Sequence, residues 1–196
     1  LALRDKDIAD QSGSNGFESD NDGSGTTAIP YTKPIFSNVT VFGPMENSST
    51  TINSLYKRAA HLRRNTQTCI YNSVFAGYPT GLFIDGSATE SNAAAADLQF
   101  RNNIIAGCTT PLAASASFDI QAWFNTPSFA NELLTNSTDI QCGYPFDLLS
   151  PDFLPQGSSP LLSGADFSNS NLQGFFTSVS YRGAFGTTDW TDEWCN

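Results

Sequence analysis

Three stretches of the chain repeat one order of apolar and polar positions: Phe36-Ser37-Asn38-Val39-Thr40-Val41-Phe42-Gly43, Ile70-Tyr71-Asn72-Ser73-Val74-Phe75-Ala76-Gly77 and Phe100-Arg101-Asn102-Asn103-Ile104-Ile105-Ala106-Gly107. Each is an apolar strand end, an Asn two residues on, a second short apolar strand and a Gly. A second set of short strands, Gly16-Phe17-Glu18, His61-Leu62-Arg63 and Gly81-Leu82-Phe83-Ile84, interleaves with the first. One unit therefore reads strand, loop, strand, Asn corner, strand, Gly, loop, at a period suited to stacked coils. Short strands with Asn and Gly at the corners predict an all-β fold, a right-handed parallel β-helix (solenoid) in which each coil covers the apolar face of the one before. Asn accepts the left-handed backbone of a sharp bend, and its amide can bond the same amide one coil away. Asn38, Asn72 and Asn102 are thus expected to stack as an internal amide ladder.

From Pro111 onward the pattern changes. Asp119 to Phe124 reads as a turn of helix with Asp119 near its N-cap, and Pro-, Ser- and Asn-rich stretches follow. A solenoid needs an atypical segment to close its open end, so residues 1–110 are read as coils and 111–196 as an irregular, loop-rich C-terminal cap packed on the same solenoid. The aromatic tail (Phe167, Phe175, Phe176, Tyr181, Phe185, Trp190 and Trp194) supplies that cap or a side pack, or else a stacking platform for sugars.

Charge narrows the partners. The 196 residues carry nine Lys plus Arg against nineteen Asp plus Glu, a net charge of -10. That excess of acid argues against nucleic acid and against an anionic membrane surface. No apolar run is long enough to span a bilayer. The four cysteines, Cys69, Cys108, Cys142 and Cys195, are far apart, with no paired-cysteine motif and a single histidine, which supplies no zinc site. An even count in an acidic chain rich in Ser, Thr and Asn fits export to the extracellular space or outer cell surface and one or two disulfides of open connectivity. Cys69, inside an apolar strand, fits a buried free thiol equally well. Leu1 to Ile8 reads like the tail of a strand already under way, so further N-terminal coils of the same protein are expected.

Asn15 to Gly23, Pro34 to Gly43 and Leu62 to Thr66, together with Ser159-Pro160-Leu161-Leu162 and Tyr181 to Gly186 with Asp189-Trp190-Thr191, resemble uncharacterised secreted or lipid-anchored right-handed parallel β-helix proteins of Bacteroidetes. The resemblance implies the C-terminal portion of a longer cell-surface protein and carries no site with it. The closing Ser-Pro and Gly-Ala segments are also similar to the last coils of many parallel β-helix proteins, polysaccharide lyases among them, an analogy of fold alone.

Two constellations carry candidate chemistry. Glu18, Asp20 and Asp22, followed by Gly23-Ser24-Gly25, place oxygen ligands at alternate positions of a turn, as a calcium ion requires. An EF-hand is rejected because Tyr31 stands where its last carboxylate belongs, but Asn15-Gly16-Phe17-Glu18 resembles a calcium segment of some β-helix lyases. The other reading of these acids is a solvated loop. Stacking the first strands on Phe17, Leu62 and Leu82 sets Glu18 beside Arg63 and puts Asp20, Asn65 and Asp85 in one column. Arg63 and Arg64 could grip a carboxylate with their planar forks, and Asp85 could bond a sugar. The same column reads equally as salt bridges between coils, and His61 as a packing residue. No catalytic residue is assigned. The expected role is a non-catalytic module that binds a polysaccharide or a cell-surface protein, or serves as a rigid part; the alternative is a calcium-assisted polysaccharide lyase, which would need a base for the C5 proton, or another polysaccharide-degrading enzyme.

Overall fold

The computed structural model describes residues 1–115 and 117–192. Strand β1 (Ala2–Leu3) is followed by β2 (Phe17–Ser19), β3 (Ile35–Ser37), β4 (Thr40–Phe42), β5 (Arg58–Arg63), β6 (Cys69–Tyr71), β7 (Val74–Ala76) and β8 (Thr80–Asp85). Helix α1 (Ser87–Ala94) then leads to β9 (Gln99–Arg101), β10 (Ile104–Ala106) and β11 (Thr110–Ala114), and α2 (Ile120–Phe124) precedes β12 (Glu132–Leu134). These strands form three parallel sheets, ordered β1-β4-β7-β10-β12, β11-β8-β5-β2 and β3-β6-β9. From β1 to β11 the chain visits the three sheets in rotation, so neighbours within a sheet are one repeat apart; after β11 it passes over the third sheet and returns to the first as β12.

The repeat seen in the sequence is the observed register: Phe36 pairs with Ile70 and Ile70 with Phe100. Side chains from all three sheets turn inward, and Val41, Phe75 and Ile105 from one sheet meet Leu62, Leu82 and Ile84 from the second and Ile70 and Phe100 from the third. Each such side chain, taken fully out of water, contributes about 1.5–3 kcal/mol. The corner asparagines adopt the left-handed backbone expected of them, with φ of 58° at Asn38, 52° at Asn72 and 57° at Asn102.

Their amides do not form the expected ladder. Asn38 Nδ2 donates to the carbonyls of Tyr181 (2.9 Å) and Gly183 (3.0 Å), and Asn102 Nδ2 donates to Gly164 O at 3.1 Å. Asn72 bonds Asp166 through both ends of its amide. A left-handed corner turns these side chains outward, where the C-terminal segment offers unpaired backbone groups. The ladder that exists is one residue further on: Ser73 Oγ accepts the N–H of Val39, Asn103 Oδ1 that of Ser73, and Asn131 Oδ1 that of Asn103, at 2.8–3.0 Å.

The parallel sheets also run past the boundary expected at residue 110, since β11 and β12 each add a strand. The end of the stack is closed by α2, whose Asp119 cap accepts the N–H of Ala122 and whose Ile120 and Phe124 are buried in the central core. The aromatic tail lies along the flanks instead. Phe185 stacks on Phe153 and Trp190, and Phe153 on Phe42, outside the first sheet. Phe167 and Phe176 pack with Leu172 over Cys69 and Tyr71, outside the third. This cover is why those outward faces are apolar too. Phe175 is exposed, and Trp194 lies outside the described residues.

Candidate functional site on the outward face of the second sheet

Two sheets have their outer faces covered by the tail; the sheet of β2, β5, β8 and β11 carries the chain's densest charge on its own. The register there differs from the one expected. Phe17 pairs with Ala60 and Ala60 with Leu82, so Glu18 lies opposite His61, and Arg63 opposite Asp85. The expected alignment on Leu62 is two residues out. A slip of two keeps every side chain on its proper face, which is why the charged residues still meet. Asn65 leaves the column altogether: the chain turns left-handed at Arg64 and Asn65 (φ 50° and 64°) directly after β5. There Asn65 donates its backbone N–H to Thr89 Oγ1, and Asn92 Nδ2 donates to its carbonyl and to Oδ1.

Arg63 is the hub of the face. Its Nε donates to Asp20 Oδ1 at 2.8 Å, and its Nη2 lies 3.2 Å from Glu18 Oε1. Arg64 Nη1 donates to the other oxygen of Asp20 at 2.8 Å. Asp20 holds the Arg63 guanidinium above its ordinary pKa, an effect that burial opposes and the charges of Glu18 and Asp85 reinforce. Arg63 is thereby a worse proton acceptor than a free arginine.

His61 lies in the middle of the face with a side chain only 2% exposed. Its ring stacks on Phe83 (centroids 5.1 Å apart, planes 15°), and Nε2 is 3.0 Å from Asp85 Oδ2. Nδ1 faces Glu18 Oε2 across 3.9 Å and has no hydrogen-bond partner. Burial pushes the imidazole pKa down against the pull of Asp85, with Arg58 and Arg63 helping to lower it. The guanidinium of Arg58 also lies 4.9 Å from the Phe83 ring centroid, within range of a cation–π contact.

The structure therefore brings together Glu18, Asp20, Arg63, Arg64 and Asp85, and adds His61, Phe83 and Arg58, which the sequence reading left out or took for packing. The alternation through Ala60-His61-Leu62-Arg63 was the signal that His61 shares a face with Arg63. Asp22 is not gathered in. Its carboxylate accepts the hydroxyl of Thr26 and the N–H groups of Ser24 and Thr26, which lower its pKa in that order of residues, the Thr26 hydroxyl first. Among the described residues no three His, Cys, Asp or Glu converge as a metal-holding group. Beside the face, Arg63, Arg64 and Asp85 open onto a cleft of about 370 Å³ walled by Gly25 and the start of α1.

Among the described residues, Cys69 and Cys142 are buried and Cys108 is half-buried. Cys69, Cys108 and Cys142 are free thiols, and the expected disulfides are not found among the described residues; Cys195 lies outside them. Burial pushes the thiol of Cys142 up to about 12 and that of Cys108 up to about 11. Cys69 sits under the tail outside the third sheet and Cys142 in the apolar layer outside the first, so the fold itself keeps them apart.

No helix among the described residues is long and apolar enough to cross a membrane. No curated protein and no solved structure matches the chain. The model of one family, the pectate-lyase-like beta helix domain, matches residues 5–145, which include β2 to β12 and the whole charged face, and the chain belongs to that family of parallel β-helix proteins.

Proposed function

We propose that the protein is an extracellular, non-catalytic polysaccharide-binding module, built as a right-handed parallel β-helix, whose ligand lies across the outward face of β2, β5, β8 and β11. Arg63, Arg64 and Asp85 are its sugar-binding residues, with Phe83 as the apolar floor. The observation that carries this reading is the pairing of Arg63 with both Asp20 and Glu18. A lyase needs a base at the substrate's C5 proton. The best-placed cation is tied into ion pairs that strengthen its hold on its protons, and the neighbouring imidazole is sealed beneath Phe83 and Asp85. What the face offers is planar donors, carboxylate acceptors and an aromatic surface, the parts of a recognition site.

The family match favours a second reading, a calcium-assisted lyase with Glu18, Asp20 and Asp22 as the cation's ligands. One experiment separates the two. Calorimetric titration against a panel of acidic and neutral polysaccharides, run beside an absorbance assay for the unsaturated uronate product, should give binding without product. Product formation that calcium restores after chelation would favour the lyase. Binding to no polysaccharide would remove both and leave a protein-binding or structural part.

A further inference from the structure

Among the described residues, Arg4, Lys6, Lys33, Arg63, Arg64 and Arg182 each pair with a carboxylate. Lys57, Arg58 and Arg101 do not. In a chain where acids outnumber cations nineteen to nine, a cation without an acid is the exception, and two of the three are adjacent. Lys57 and Arg58 stand at the start of β5, at the opposite end of the strand from Arg63. They open onto a second cleft of about 370 Å³, which Ser54 and Thr80 also line.

The donors in this cleft are available. Lys57 Nζ spends one proton on the carbonyl of Ser54 at 2.8 Å. The Arg58 guanidinium is steadied by its contact with Phe83 and makes no hydrogen bond among the described residues. The hydroxyls of Ser54 and Thr80 are likewise unengaged there. The groups come from two directions, the loop leading into β5 and the neighbouring strand β8. A carboxylate, with two oxygens in a plane, would be served by the arginine fork alone. A fork, an ammonium and two hydroxyls around one cavity suit a group with three terminal oxygens.

We propose that this cleft binds a tetrahedral oxyanion, the sulfate or phosphate ester of a polysaccharide whose chain lies on the face described above. This rests on the polysaccharide-binding reading and gives it a substrate class: esterified chains over chains that carry only carboxylates or hydroxyls. Arg58 and Lys57 read the ester, and Arg63 and Arg64, at the far end of the strand, hold the sugar.

The test is calorimetric titration of the folded protein with one oligosaccharide in sulfated, phosphorylated and unsubstituted forms, for the wild type, the Lys57→Gln/Arg58→Gln double variant and Arg101→Gln. An esterified form should bind at least about tenfold tighter than the unsubstituted one. The double variant should lose that preference, and Arg101→Gln should keep it. Preference for the sulfated or the phosphorylated form identifies the source of the oxyanion. Equal affinity for all three forms, or a preference that survives in the double variant, overturns the proposal. Inorganic sulfate and phosphate, followed through the Arg58 Nε–H resonance, keep the proposal separate from the reading beneath it. A perturbation in the absence of any oligosaccharide binding defeats the polysaccharide reading and upholds the oxyanion cleft; no perturbation together with no binding defeats both.

Discussion

Asn72 holds Asp166 at both ends of its amide, Nδ2 donating to the carbonyl at 3.2 Å and Oδ1 accepting the N–H at 2.9 Å, across 94 residues of chain. The same residue bends the backbone between β6 and β7 at φ 52°. One side chain thus makes the corner of a repeat and clamps the tail against it, with Asn38 and Asn102 repeating the arrangement on either side.

Two substitutions at Asn72 separate these roles. Asn72→Gly keeps the left-handed corner and loses the clamp, and should cost about 1–3 kcal/mol, the net worth of its two part-buried hydrogen bonds to Asp166. Asn72→Ala adds the strain of a left-handed backbone, about 1–2 kcal/mol more. Urea denaturation midpoints should rank wild type above Gly and Gly above Ala; an alanine variant as stable as the glycine one would contradict the corner role.

Stability should depend on pH through the single histidine. Burial depresses the His61 pKa in the folded state, so as pH falls the unfolded chain takes up the proton first. The stability held by neutral His61 is complete above the unfolded value of about 6.5 and is lost as pH drops from there through the folded value. The wild type should therefore lose more stability between about pH 8 and about pH 5 than His61→Gln does. Parallel urea midpoints at the two pH values check this, and equal losses would refute it.

Helix α2 closes the core through Phe124, which packs on Phe100 with ring centroids 6.1 Å apart. Phe124→Ala opens a cavity at the end of the stack and should destabilise the protein by about 3–5 kcal/mol. The exposed Phe175, truncated in the same way, should change stability by no more than about 0.5 kcal/mol. Thermal unfolding of the two variants gives the comparison.

Glu18 and Asp20 already face arginines, and Asp22 is engaged by Ser24 and Thr26. Calcium would have to displace these bonds in order to bind. The melting midpoint is accordingly expected to be the same with calcium and with EDTA. A rise in calcium that Asp20→Asn abolishes would show the ion to be a ligand of the folded state.

The rotation of short strands and the left-handed corners were legible from residue types alone. Asn38, Asn72 and Asn102, with Gly77 and Gly107 after them, stand where the backbone takes positive φ, a local demand that a single position satisfies whatever surrounds it. The N-cap at Asp119 was readable for the same reason. The charged face was legible in its membership but not in its order. Period-two alternation puts Glu18, His61, Arg63 and Asp85 on one side of the sheet in any register that differs by two residues, so it could not choose between Ala60 and Leu62 as the partner of Phe17. In the folded chain Ala60 is that partner, and β5 ends in the bend at Arg64 and Asn65. Where the corner amides find their bonds depended on a segment some sixty to a hundred and forty residues away in the chain. Such a contact exists only once the tail has packed against the sheets, because no property of Asn38, Asn72 or Asn102 distinguishes an amide that bonds its neighbour from one that clamps a distant strand of chain.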